Sequence, residues 1–150
     1  MATKRNILVV DDNPLNRKIL NRILISEGYH VTEAENGQEA LHILMDRTHA
    51  VNLVLLDLEM PIMDGYSVLR EMNESGIIAS IPVIVTTGNE DAEILSLENG
   101  ASDFIKKPYN AELVRHRVES LLRLWENAAL LNQLETDRLT GLLSKEFFYR

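Results

Sequence analysis

Apolar residues along this chain fall into two spacings that alternate. Short unbroken runs come at Ile7-Leu8-Val9-Val10, Leu53-Val54-Leu55-Leu56, Val83-Ile84-Val85 and Phe104-Ile105. Runs of this kind predict strands buried on both faces. A shorter segment with some alternation, His30 to Ala34, predicts another. Between them, apolar positions recur three and four apart, the period of helices. Ile19, Leu20, Ile23 and Leu24 follow Asn13-Pro14, an N-cap and first-turn pair, and stop at Gly28. Ala40, Leu41, Leu44 and Met45 follow the turn Asn36-Gly37. Val68, Leu69 and Met72 stop near Gly76. Ile94, Leu95 and Leu97 mark a shorter helix ending at Asn99-Gly100, and the chain reads helical again from Asn110. Strand and helix alternate five times, which predicts a parallel sheet covered on both faces. The pattern leaves the strand order open; 2-1-3-4-5 is one of two common doubly wound orders.

What stands at the strand ends changes the picture. The first strand runs into Asp11-Asp12, the third into Asp57, the fourth into Thr86-Thr87 and the fifth into Lys107-Pro108. Asp is common in turns, so any one of these could be a cap. Turn caps do not explain a set of three carboxylates, a hydroxyl and an ammonium. Open α/β sheets bind ligands at the carboxyl ends of their strands, and the order 2-1-3-4-5 brings Asp11, Asp12 and Asp57 together there. Three carboxylates in one crevice repel one another, and a hard divalent ion such as Mg²⁺ offsets this. With Lys107 and Thr87 the set fits phosphoryl transfer. Asp57 is the candidate nucleophile, and the adjacent Asp11-Asp12 pair is suited to holding the ion.

Composition narrows the partners. A net charge of −8 argues against a nucleic-acid-binding face, so no direct nucleic-acid contact is expected. No cysteine is present, which excludes disulfides and thiolate metal sites and is compatible with the cytoplasm. No run nears the ~20 apolar residues of a membrane helix, so no membrane contact is expected. His30, His42, His49 and His116 have no ligand-like spacing. Lys106 points away from Lys107 if the strand continues.

Five motifs, in order and at matching intervals, resemble the receiver domain of bacterial two-component response regulators. They are Val9-Val10-Asp11-Asp12-Asn13, Leu56-Asp57-Leu58-Glu59-Met60-Pro61 with Asp64-Gly65, Val85-Thr86-Thr87-Gly88, Gly100-Ala101, and Phe104-Ile105-Lys106-Lys107-Pro108-Tyr109. The likeness spans residues 5–122. It implies an α/β, flavodoxin-like, doubly wound five-stranded sheet of order 2-1-3-4-5 with five helices. It also implies that Asp57 accepts a phosphoryl group from a histidine kinase or phosphotransfer protein. Mg²⁺ or Mn²⁺ would be held by Asp12, by Asp11 mostly through water, by Asp57 and by the backbone carbonyl of Glu59. Thr87 would bond the phosphoryl group and Lys107 pair with it, and Pro108 would follow a cis bond. Phe104 matches the switch aromatic that turns inward as Thr87 moves. On this reading the receiver is no enzyme beyond its own phosphotransfer and dephosphorylation.

Some positions depart from the common pattern. Thr86-Thr87 offers two hydroxyls; counting from Pro82 favours Thr87. The segment from Thr87 to Gly100 is about two residues short of many relatives. Glu59 and Asn89 flank the site and are expected to tune the acyl-phosphate lifetime.

Residues 123–135 continue the last helix as a linker. Val114, Val118, Leu121, Trp125 and Ala128 step as a coiled-coil seam does, and the stripe then slips towards Leu131 and Leu134. Leu124, Trp125, Leu130, Leu131 and Leu134 are too much apolar surface for a bare tail, which predicts a homodimer through this helix. The bland alternative packs Val114 to Leu121 on the sheet. Residues 136–150 resemble the truncated start of a GGDEF-type diguanylate cyclase domain, on Asp137, Leu139-Thr140-Gly141-Leu142 and Phe147. A cyclase output is the expectation, although these 150 residues lack the signature needed to make cyclic di-GMP. A metal-dependent phosphatase would carry Asp-x-Asp after the first strand, and a Rossmann module a Gly-rich loop there; neither is present. A pseudo-receiver that only binds partners, or a stand-alone receiver, is the remaining alternative.

Overall fold

The apolar runs form five parallel strands, β1 (Asn6–Val10), β2 (His30–Ala34), β3 (Val51–Asp57), β4 (Val83–Thr87) and β5 (Asp103–Lys106). Their order is β2-β1-β3-β4-β5. Between and after them come α1 (Pro14–Ser26), α2 (Gly37–Met45), α3 (Gly65–Ser75), α4 (Glu90–Glu98) and α5 (Ala111–Phe148). The computed structural model describes residues 4–60 and 63–148; the side chains of Arg47 and of residues 132–148 fall outside that description. Among the described residues, no helix is long and apolar enough to cross a membrane.

Alternation along each strand builds two cores. Leu8, Val10, Val54, Leu56, Val83 and Val85 join α2 and α3 on one face. Ile7, Val9, Leu53, Leu55, Ile84 and Ile105 join α1 and α5 on the other. A strand buried on both faces has no solvent side, so its sequence shows a run and not an alternation. Local signals start the helices. Asn13 caps α1 by accepting from the N–H groups of Leu15 and Asn16, with Pro14 in the first turn. Asn36 caps α2 through Glu39 and Asp64 caps α3 through Ser67.

Two helices sit differently from the predicted stripe. In α2 the inward residues include Ile43, whereas Met45 is half exposed. In α4 the large side chains Ile94, Leu95 and Leu97 face out, and the small Ala92 and Ser96 face in. Shape decides there: the closely packed face takes small residues.

The last helix corrects the seam prediction. Val114, Val118, Leu121 and Leu122 are buried on the protein's own sheet. Trp125 is partly buried against the same core. The stripe Val114-Val118-Leu121-Trp125 is therefore an intramolecular face. The helix then runs on to Phe148 without a break at residue 135. The backbone thus marks no boundary between linker and cyclase-like segment. The side chains that carry the cyclase resemblance lie outside the described residues.

One close approach fixes the loop after β3. A Cβ on Gly65 would stand 2.6 Å from the Asp57 carbonyl oxygen and 2.7 Å from the Leu58 Cα. Both are backbone atoms, so relief requires moving the strand end that carries Asp57. Gly65→Ala is expected to cost about 1–3 kcal/mol, the range for overpacking. Chemical denaturation of the variant measures it.

Candidate functional site

Register brings the strand ends together. Val10 pairs with Leu56 across β1 and β3, so Asp11 emerges beside Asp57. Asp57 pairs with Thr86, and Thr87 with Lys106, so Thr87 and Lys107 reach the same edge. The Lys107–Pro108 peptide is cis, as the resemblance implied.

One carboxylate oxygen from each of Asp11, Asp12 and Asp57 lies within 4.8 Å of the others. Asp11 and Asp57 are each 1% exposed, whereas Asp12 is open to solvent. Lys107 Nζ donates to Asp57 Oδ1 at 3.0 Å and stands 3.9 Å from Asp11 Oδ2. The Glu59 N–H also donates to Asp57 Oδ1, at 3.1 Å. Among the described residues both donors to this carboxylate fall on Oδ1. Burial raises the Asp57 pKa to about 6; the charge on Asp11 adds to this, and Lys107 and the Glu59 N–H oppose it. Three carboxylates facing one ammonium leave the crevice short of positive charge. Hard oxygen donors and that deficit fit a divalent ion such as Mg²⁺, with Asp11, Asp12 and Asp57 as the side chains to hold it.

The two threonines diverge. Thr86 and Thr87 are both buried. Thr87 continues the Val83 and Val85 face, where Phe104 also packs, and its hydroxyl accepts from the Asn89 N–H at 3.1 Å. Thr86 sits on the opposite face, beside the Tyr109 hydroxyl. The structure thus brings Asp11, Asp12, Asp57 and Lys107 together. It leaves Thr87 on the face that carries Phe104, two positions beyond Val85, the strand partner of Phe104, with no Thr87–Asp57 hydrogen bond among the described residues. Lys106 stays out of the site, paired with Glu90 at 2.8 Å.

Sequence reasoning passed over three residues here. Arg17 donates to the Asp11 carbonyl at 2.7 Å and to Glu33, tying α1 to the acid loop. Arg117 of α5 lies over the Phe104 ring, 5.2 Å from its centroid, and donates to the Asp103 carboxylate and the Phe104 carbonyl. Tyr109 points its hydroxyl at Asp11 Oδ2, 3.5 Å away. Only the Tyr109 contact had a sequence signal, a phenol two residues after Lys107.

Fold and crevice together define an open α/β domain whose acidic site lies at the carboxyl edge of its central strands. The chain belongs to the response regulator receiver domain family, whose model matches residues 7–119. It is 36% identical over 156 residues to a protein of Cyanidium caldarium described as transcriptional regulator ycf27. That match covers 98% of this chain and 61% of the relative, so the chain spans about three-fifths of the relative's length. A receiver domain protein (CheY-like) of Methanospirillum hungatei superposes with a TM-score of 0.76 at 27% identity, over 84% of this chain and 99% of that one. A structure described as a two-component system response regulator/GGDEF domain protein superposes with a TM-score of 0.77 at 30% identity. It covers 82% of this chain and 51% of that one.

Proposed function

We propose that this receiver is a phosphorylation-dependent switch whose phosphoacceptor is Asp57. The observation that carries this is the Asp57 carboxylate, buried, held by Lys107 and grouped with Asp11 and Asp12. A carboxylate oxygen of Asp57 attacks the phosphorus of a phosphohistidine on a histidine kinase or phosphotransfer protein. An O–P bond forms as the N–P bond breaks, and the leaving imidazole takes up a proton. Lys107 pairs with the incoming phosphoryl oxygens, and the Thr87 hydroxyl turns from Asn89 to donate to them. Asp11, Asp12, Asp57 and the Glu59 carbonyl would hold Mg²⁺ or Mn²⁺, which would supply further charge neutralisation. Turning Thr87 vacates space beside Phe104, and Arg117 links that ring to α5. The receiver is no enzyme beyond its own phosphotransfer and dephosphorylation. Incubation with phosphoramidate and Mg²⁺ tests the reading: intact mass should show one labile phosphoryl group, absent with chelator. A chain that never labels is a pseudo-receiver.

For the output we retain a diguanylate cyclase, supported by the likeness of residues 136–150 and by the solved response regulator/GGDEF neighbour. The curated relative described as a transcriptional regulator supports a DNA-binding output instead, so the absence of nucleic-acid contact is proposed for the receiver alone. Cyclic di-GMP synthesis by the full-length protein separates the two.

Self-association through α5 is proposed on a different stripe from Val114–Trp125. Leu124 and Leu131, one heptad apart, are 59% and 62% exposed, with Leu130 beside them. A second copy of the helix is the occupant we propose. Each Leu buried contributes about 1.5–3 kcal/mol, so Leu124→Glu with Leu131→Glu should weaken dimerisation by at least about tenfold. Sedimentation equilibrium reads this; an unchanged dimer removes the seam.

A further inference from the structure

Asp11 is a buried carboxylate, and both its oxygens need donors. Oδ1 accepts from the Asn13 N–H at 2.9 Å. Oδ2 faces two candidates, Lys107 Nζ at 3.9 Å and the Tyr109 hydroxyl at 3.5 Å. Lys107 is already bonded to Asp57 at 3.0 Å. The Tyr109 ring is partly buried and packs against the α1 and α5 core, which holds its hydroxyl on the Asp11 side.

We propose that Tyr109 is a positioning residue of the acid cluster, holding Asp11 by Oδ2 and so leaving Lys107 to Asp57. The proposal rests on the phosphoacceptor reading of the site. Remove the phenol and, of these two donors facing Oδ2, only the ammonium remains. The Lys107–Asp11 pair closes, Lys107 moves off Asp57, and Asp11 is drawn away from its partner Asp12. An ion must then pull the pair back, so it binds more weakly. Outer-shell partners of metal-ligating carboxylates commonly have this effect.

Mg²⁺ titration by calorimetry on the 150-residue chain tests the idea. Tyr109→Phe keeps the ring and should raise the Mg²⁺ Kd about tenfold with an unchanged Tm. Tyr109→Leu should raise it equally and also lower the Tm. Tyr29→Phe, which removes a phenol that faces Arg5, Glu27 and Glu119 and not the acid cluster, should leave the Kd alone. A Tyr109→Phe Kd within about twofold of wild type overturns the proposal, and so does a rise seen only with Tyr109→Leu, which would reduce Tyr109 to a packing residue. If the wild-type chain binds no Mg²⁺, the reading of the site fails first and Tyr109 falls with it. That outcome is recognisable from the wild type alone.

Discussion

Asp57→Asn is expected to take up no phosphoryl group from phosphoramidate or acetyl phosphate at any Mg²⁺ concentration. The wild-type chain under the same conditions should gain one. The loss is total because the substitution removes the bond-forming oxygen, not a contact that aids it. Lys107→Gln provides the contrast. It removes one positive donor from beside the nucleophile, and single electrostatic donors of this kind are worth ~10²–10³ in rate. That variant should label slowly and reach completion. Asp11→Asn should label only at raised Mg²⁺, since it weakens the ion site and spares the nucleophile. Peptide mapping of the labelled wild type identifies the acceptor. A phosphoryl group on Asp11 or Asp12 would overturn the assignment, as would full labelling of Asp57→Asn. Folding must be checked alongside, by Tm, because Asp57 sits at the end of a strand packed on both faces.

The strands were legible because burial on both faces leaves unbroken runs; Leu53 to Leu56 are all buried. The site was legible because a parallel sheet carries every strand end to one edge, so residues distant in sequence converge once the order is known. What was missed has physical causes. The α4 interior is Ala92 and Ser96, and small residues give no hydrophobic signal. The Ile43-for-Met45 exchange in α2 is a small rotation about the helix axis, within which a nine-residue stripe is ambiguous. The Val114–Trp125 stripe was real, but periodicity names a buried face without naming what buries it. Here the answer is the protein's own sheet, and Leu124 and Leu131 lie elsewhere on the helix. Tyr109 and Arg117 act through side-chain reach across a loop or between α5 and β5. For Arg117 no spacing rule encodes that; for Tyr109 the one signal is a phenol two residues after Lys107.

The other large effect concerns stability without metal. Burial lifts the Asp57 pKa from the usual value near 4 to about 6 in the native state. The native state therefore keeps the proton to higher pH than the unfolded chain does. The Asp57 contribution to stability is greatest below about pH 4, falls as pH rises from about 4 to about 6, and is flat above that. The span is on the order of 2–3 kcal/mol, or ~5–10 °C in Tm for a domain of this size. Glu90 carries the opposite linkage: Lys106 holds it low, so its contribution is lost as pH falls. The measurement is accordingly the difference in Tm between wild type and Asp57→Asn, in chelator, across pH 4 to 7.5. Wild type should lose ground to the variant as pH rises to about 6 and hold a constant gap beyond. Adding Mg²⁺ at pH 7.5 should restore much of that gap in wild type and raise Asp57→Asn less, because the ion replaces the missing positive charge only where the third carboxylate remains. A gap that does not change with pH would mean that Asp57 is ionised at no cost, and that the crowding of charge at this sheet edge is relieved without an ion.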